Sequence, residues 1–167
     1  MYDELTEVDL KKMREEIDYR IQVLRPKLIE DVQTARAFGD LSENFEYKCA
    51  KQEKNRNDSR IRYLQRMVST AKVISTESSG DTVGLFDRVV VFHEKLGKEM
   101  TLRIVTTLRA DAGKGLISKE SPVGKALLGR RVGEKVHVNV SSEIQYDMTV
   151  RSIEKGRDDE TLAIRKY

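Results

Sequence analysis

The sequence predicts an α+β chain of two domains: an N-terminal antiparallel coiled-coil helical hairpin over residues 1–76 and a C-terminal antiparallel β-sheet domain with one short helix over residues 80–167. Three observations predict it. The first 74 residues hold one glycine, Gly39, and one proline, Pro26. Apolar residues recur there at spacings of three and four, the stripe of an amphipathic helix. Beyond the loop signal Ser78-Ser79-Gly80-Asp81, the pattern changes to short alternating runs rich in β-branched residues.

The first stripe is Leu10, Met13, Ile17, Ile21, Leu24, Leu28, Val32 and Ala35. The second is Tyr47, Ala50, Lys54, Asn57, Ile61, Leu64, Val68 and Ala71. Two such stripes around one Gly39-containing turn give an antiparallel hairpin. The first helix is expected from about residue 8 to about residue 37, ~40 Å of helix. A rod of that length cannot bury itself in a domain of this size, so it is expected to project. Pro26 inside a helix costs ~3 kcal/mol. The stripe keeps its phase from Leu24 to Leu28, so a kink is expected rather than two helices. Lys54 and Asn57 cannot pack as apolar knobs. The hairpin is therefore expected to be firmer at its base (Ile61, Leu64, Val68, Ala71) and looser toward the turn, with a polar seam residue fixing register at some cost in stability.

In the second domain, strands are expected over residues 87–92, 99–105, 135–140 and 146–150. One helix interrupts them. Ser121 is its N-cap, Pro122 its first residue, Val123, Ala126 and Leu127 its apolar face, and Gly129 its stop.

Composition removes several classes of function. The 167 residues carry 31 Lys+Arg and 28 Asp+Glu, a net charge of +3. No apolar run approaches the ~20 residues of a membrane span, and from the acidic N-terminus no secretory leader is expected. Cys49 is the only cysteine, and the two histidines, His93 and His137, lack metal-ligand spacing. A reducing cytoplasm is the expected compartment. The near-neutral total hides a basic stretch. Residues 48–72 hold eight basic side chains (Lys48, Lys51, Lys54, Arg56, Arg60, Arg62, Arg66, Lys72) against Glu53 and Asp58. Such a stretch either attracts a phosphate backbone or solvates a helix face.

The turn reads Arg36-Ala37-Phe38-Gly39-Asp40-Leu41-Ser42-Glu43-Asn44-Phe45-Glu46-Tyr47. Asp40 and Glu43 admit two readings. One is helix capping: a box in which Asp40 accepts from the amide at 43 and Glu43 reaches back, with Ser42 a competing N-cap. The other is metal chemistry. Two carboxylates suit a divalent hard cation, but they are too few ligands to hold Mg²⁺ tightly alone. That reading needs a partner that supplies a metal and the phosphates.

These residues resemble the Gre family of bacterial transcript cleavage and elongation factors, GreA type. The segments that carry the resemblance are Leu5-Thr6, Leu10 to Glu16, Arg25-Pro26, Ala35 to Tyr47, Arg60-Ile61, Leu116 to Gly129 and Val132 to Val136. They span nearly the whole chain, and the turn is the most specific of them. The resemblance implies an FKBP-like C-terminal domain that docks on RNA polymerase at the mouth of its secondary channel. It implies that the hairpin enters that channel when the polymerase has backtracked. Asp40 and Glu43 would be the catalytic tip carboxylates, which also ligate metal in the complex with polymerase. Arg36 and Lys51 match basic positions near the RNA, and Ser121 and Pro122 match the docking segment.

The mechanism this implies is accessory. The polymerase performs the hydrolysis, while Asp40 and Glu43 help hold a second Mg²⁺ and orient water for in-line cleavage of backtracked RNA. Lys48, Lys51, Lys54 and Arg56 would hold the nascent RNA 3′ end. The free protein is expected to be a monomer with no cofactor, and Mg²⁺ is shared only in the complex. Phe45 stands where the family has a small residue; it either stacks on a base or tucks against Phe38 or Tyr47, and the tuck is the expected arrangement. Cys49 is expected as a small half-buried filler. Two other readings are a channel-binding regulator without cleavage and a free-standing prolyl isomerase or chaperone. The second domain offers an isomerase only Phe86, Phe92, Tyr146 and Tyr167.

Overall fold

The computed structural model describes residues 4–39, 43–76, 80–158 and 160–165. The chain divides into two compact units, one over residues 9–72 and one that joins residues 4–8 to residues 73–166. Asp40, Ser42, Ser78, Ser79 and Tyr167 lie outside the described residues. Among the described residues, no helix is long and apolar enough to cross a membrane.

The first unit is the helical hairpin. Its first arm is α1 (Glu7–Tyr19), a π-helical turn (Arg20–Leu24) and α2 (Arg25–Arg36); its second arm is α3 (Phe45–Thr70). At ~1.5 Å per residue, the 26 residues of α3 span ~39 Å. Every position of the second stripe, from Tyr47 to Ala71, is buried or half-buried. Leu10, Met13, Ile61 and Leu64 are buried at the base, each contributing about 2 kcal/mol. Toward the turn the corresponding positions are only half-buried apart from Ala35, so the hairpin is firmer at its base.

Pro26 is accommodated by a change of helix type. The Arg25 N–H donates to Arg20 O, one residue further back than in an α-helix. The wide turn breaks the α ladder just before Arg25, which leaves Pro26 in the first turn of α2, where a missing N–H costs little. The extra residue also shifts the stripe. Ile21 is exposed, and Arg20 takes its place in the seam opposite Asn57.

That seam is polar and fully paired at its centre. Asn57, 3% exposed, accepts from Arg20 Nη1 at 3.0 Å and donates to Arg20 O at 3.3 Å. One turn away, Glu16 accepts from Arg60 Nε at 2.9 Å, Arg60 Nη2 at 3.1 Å and Arg20 Nε at 2.7 Å. Burial pushes the Glu16 carboxyl up, but the hydrogen bonds and charges of Arg60 and Arg20 outweigh it and hold it below the usual carboxylate range. Toward the turn, Asp58 accepts from Lys54 at 2.9 Å and lies 3.2 Å from Arg25 Nε without hydrogen-bond alignment.

Strand β1 (Glu4–Leu5) pairs with β2 (Lys72–Val73), and in the second unit five further strands form one sheet. These are β3 (Arg88–His93), β4 (Lys98–Val105), β5 (Leu116–Ser118), β6 (Lys135–Asn139) and β7 (Gln145–Glu154), in the order β5-β4-β3-β7-β6. All pairings in this sheet are antiparallel except β4 with β5. A register shift between Val90 and Val91 marks the pairing of β3 with β7. The core is Val83, Val89, Val91, Leu102, Ile104, Leu127, Val136, Val138, Met148 and Val150. Helix α4 (Pro122–Leu127) closes it with Val123, Ala126 and Leu127.

Two ionic clusters hold residues 155–158 of this unit. Asp87 accepts from the N–H groups of Gly84 (2.7 Å) and Gly156 (3.0 Å) and from Lys155 Nζ (2.9 Å). Gly156 is required there, because a Cβ would stand 1.9 Å from Phe86 O. Asp158 accepts from both Arg109 guanidinium nitrogens and from Thr6 Oγ1 at 2.6 Å, and Arg109 lies 5.2 Å over the Phe86 ring. The aromatics are accordingly engaged one by one. Phe86 is buried under Arg109, Tyr146 stacks on His93 at 4.4 Å, and Phe92 lies under Arg151.

The hairpin's pH dependence follows from Glu16. Its carboxyl is depressed in the folded state, so its contribution is present above about pH 4.5 and is lost as pH falls through the lower folded value. Glu16→Gln should destabilise the hairpin by about 2 kcal/mol at neutral pH, the scale of charged hydrogen bonds. It should also flatten the fall in melting temperature between neutral and acid pH, measured by circular dichroism.

Candidate functional site

The turn between the arms is built from Asn44. Its side-chain oxygen accepts from the Tyr47 N–H at 2.9 Å, which makes it the N-cap of α3, and its amide nitrogen donates to Ala35 O at 2.7 Å. One side chain thus caps the second arm and ties it to the first. Asparagine caps a helix as well as aspartate or serine does. The expectation that Glu43 serves a capping box, or that Ser42 is the cap, is corrected. Helix α3 starts at Phe45, so Glu43 lies outside it, exposed and not the cap. Asp40, its intended partner, lies outside the described residues.

Two expectations next to the turn are also corrected. Phe45 does not tuck against Phe38 or Tyr47; it is 76% exposed, and Phe38 is 73% exposed. Phe45 is the first residue of α3, and the Asn44 bonds already fix the turn without an apolar staple. Cys49 is exposed rather than half-buried, because it lies off the seam positions Tyr47, Ala50 and Lys54.

The basic residues separate into two groups. Lys48, Lys51 and Arg56 are exposed on the outer side of α3. With Gln52, Asn55 and Ser59 they line a shallow concavity of about 380 Å³. Arg56 pairs with Glu53 at 2.9 Å, an exposed contact worth at most about 1 kcal/mol. Lys51 lies 5.8 Å over the Tyr47 ring. Arg36 is exposed in the last turn of α2. Lys54 is elsewhere: it sits in the seam, half-buried, bound to Asp58. The structure therefore gathers Lys48, Lys51 and Arg56 and leaves Lys54 out of that face. Gln52, Asn55 and Ser59 do not stand out in the sequence, although successive steps of four, three and four residues from Lys48 place them on one helix face.

In the second unit, Ser121 Oγ accepts from Gly124 N–H at 3.0 Å and donates to Ser118 O at 2.7 Å. The hydroxyl is thus used to build the start of α4. Gly124 permits this close approach, since a Cβ would stand 2.1 Å from Ser118 O. Pro122, next to it, is exposed. Among the described residues, no group of three or more His, Cys, Asp or Glu side chains is arranged to hold a metal ion.

The geometry of the turn gives a direct test. Asn44→Ala should cost about 1 kcal/mol of hairpin stability through the lost cap. Amide exchange should speed up at Tyr47 and in the first turn of α3, while Leu64 and its neighbours keep their protection.

Comparison with known proteins identifies the family. Residues 4–73 match the family described as "Transcription elongation factor, N-terminal", and residues 70–155 match "Transcription elongation factor, GreA/GreB, C-term". The chain is similar to transcription elongation factor GreA of Caldanaerobacter subterraneus subsp. tengcongensis, 44% identical over 84% of this chain and 90% of that protein. It is similar to GreA of a Chelativorans species, 41% identical over 81% of this chain and 87% of that protein. A crystal structure of the GreA factor homolog 1 (Gfh1) protein of Thermus thermophilus aligns with a TM-score of 0.43 at 25% identity, covering 93% of this chain and all of that one. Two family matches that together run from residue 4 to residue 155, and relatives above 40% identity, show that the chain belongs to the GreA/GreB family of transcription elongation factors.

Proposed function

We propose that this chain is an accessory factor of bacterial RNA polymerase. The hairpin enters the polymerase's secondary channel and stimulates the polymerase's own endonucleolytic cleavage of backtracked RNA, rescuing arrested complexes. The observation that carries the reading is that Asn44 caps α3 and leaves the Glu43 carboxylate exposed and outside the helix. Asp40 joins Glu43 in this reading as the second tip carboxylate.

The donor set fits Mg²⁺ in kind, since carboxylate oxygens are hard ligands, and it is too small in number to hold that ion alone. Asp40 and Glu43 would therefore hold the ion together with groups of the polymerase. When bound, such an ion neutralises phosphate charge and activates water. The other residues position. Lys48, Lys51 and Arg56 attract the extruded RNA 3′ end along the outer face of α3, and Arg36 adds charge at the end of α2. This attraction weakens with salt. Lys54 acts through Asp58, within the seam, rather than on RNA. Pro122 contributes an exposed contact to the polymerase, and Ser121 shapes the segment that presents it. The protein works as a monomer, and bond cleavage takes place in the polymerase.

Backtracked elongation complexes with Mg²⁺ test this. The protein should release short RNA 3′ fragments. Asp40→Asn and Glu43→Gln should each slow that release at least about tenfold, the minimum expected even for a residue that only orients a metal ligand. Binding to polymerase should persist. Fragments that fail to appear although the protein binds would leave a channel regulator without cleavage. Calorimetry on the free protein should find no micromolar Mg²⁺ site; such a site at the turn would contradict a shared ion.

A further inference from the structure

Phe45 presents a large apolar ring to solvent. It is 76% exposed at the N-terminal end of α3, where the chain had no need to place a large apolar ring. Burying an aromatic ring gains free energy in proportion to the area removed from water, and here that gain is not taken within the protein.

Its position says what the ring would meet. Phe45, Lys48, Gln52, Asn55 and Ser59 recur at spacings of three and four and share one side of α3. All but Phe45 line the concavity that Lys51 and Arg56 complete. Phe45 therefore stands at the turn-proximal end of a face that carries three cations and three neutral polar groups. Cβ atoms on a helix tilt toward its N-terminus, so the ring leans toward the Glu43 end. Along α3 its neighbours in sequence are Glu46, Lys48 and the exposed Cys49, and the exposed Phe38 lies before the turn. A cationic groove with an aromatic ring at one end is the combination that binds a single nucleic-acid strand: cations follow the phosphates and the ring stacks on a base.

We propose that Phe45 is a base-stacking platform for the single-stranded RNA that lies along Lys48, Lys51 and Arg56, and that it positions the strand at the end of α3 next to Glu43. The assignment rests on the reading of this face as an RNA surface. Stacking makes the contact tolerant of sequence, since every base has a π face. It also fixes the strand along its length, which charge alone does not do.

The chain has no tryptophan, so Phe45→Trp supplies a single reporter. The probe is an oligoadenylate of about eight nucleotides, within the usual site sizes of single-strand binders. An abasic ribose-phosphate oligomer of the same length serves as its control. At low salt the oligoadenylate should quench the indole emission of the Phe45→Trp variant, and the abasic oligomer should not. Phe45→Ala and Phe45→Leu should both weaken oligoadenylate binding at least about fivefold, with the far-ultraviolet helix signal unchanged. Equal affinity in Phe45→Leu would overturn stacking, because leucine keeps the apolar bulk without the ring. Equal binding of the abasic oligomer would also overturn it, as a phosphate contact only. Full oligoadenylate affinity in Phe45→Ala with weakened polymerase binding would assign the ring to a protein pocket instead. None of these measurements involves cleavage, so stacking can fail while Asp40-dependent fragment release still stands, and the reverse.

Discussion

An amide buried between two helices loses water on every polar atom, and each atom left unpaired costs free energy. Asn57 meets this demand within the hairpin, because Arg20 offers it both a guanidinium donor and a backbone carbonyl. The carbonyl is well placed because the helix there is wide, and the helix is wide where Pro26 follows. Glu16 then closes the same arrangement by holding Arg20 and Arg60 together. A slide of one arm along the other would separate these pairs at once, whereas leucines could exchange neighbours. The relative height of the arms, and so the geometry of the turn they carry, depends on this polar seam.

At the turn, capping and exposure are assigned to different side chains. Asn44 takes both the helix cap and the tie to Ala35. That division leaves a carboxylate and an aromatic ring on either side of it exposed. The basic face of α3 follows from the same helix start, since the phase of every later residue is counted from Phe45.

The hairpin was legible in the sequence because the spacing of three and four is unbroken along the second stripe, all eight positions of which are buried or half-buried. The β3, β4, β6 and β7 strands and the α4 cap were legible from alternation and from Ser121-Pro122. What stayed hidden has physical reasons. The three-residue β5 is too short to show a period, and its parallel pairing with β4 is a tertiary fact. The π turn could not be read, since periodicity marks where a stripe must go and not how the backbone gets there. Lys54 looked like one more cation of a basic run, but its position in the seam and Asp58 four residues on give it a structural task. Asn44 does not stand out as the cap because Asp40 and Ser42 stand just before it, and aspartate, serine and asparagine all cap helices well.

The wide turn at Arg20–Leu24 holds one residue more than an ordinary helical turn would. Such a turn is a local insertion absorbed without changing what lies beyond it. A homologous chain one residue shorter between Ile17 and Leu24 can wind that stretch as plain α-helix and still bring its arms to the same turn. At this turn of the first arm the backbone can therefore take up or release a single residue, at the cost of the Arg20–Asn57 pairing.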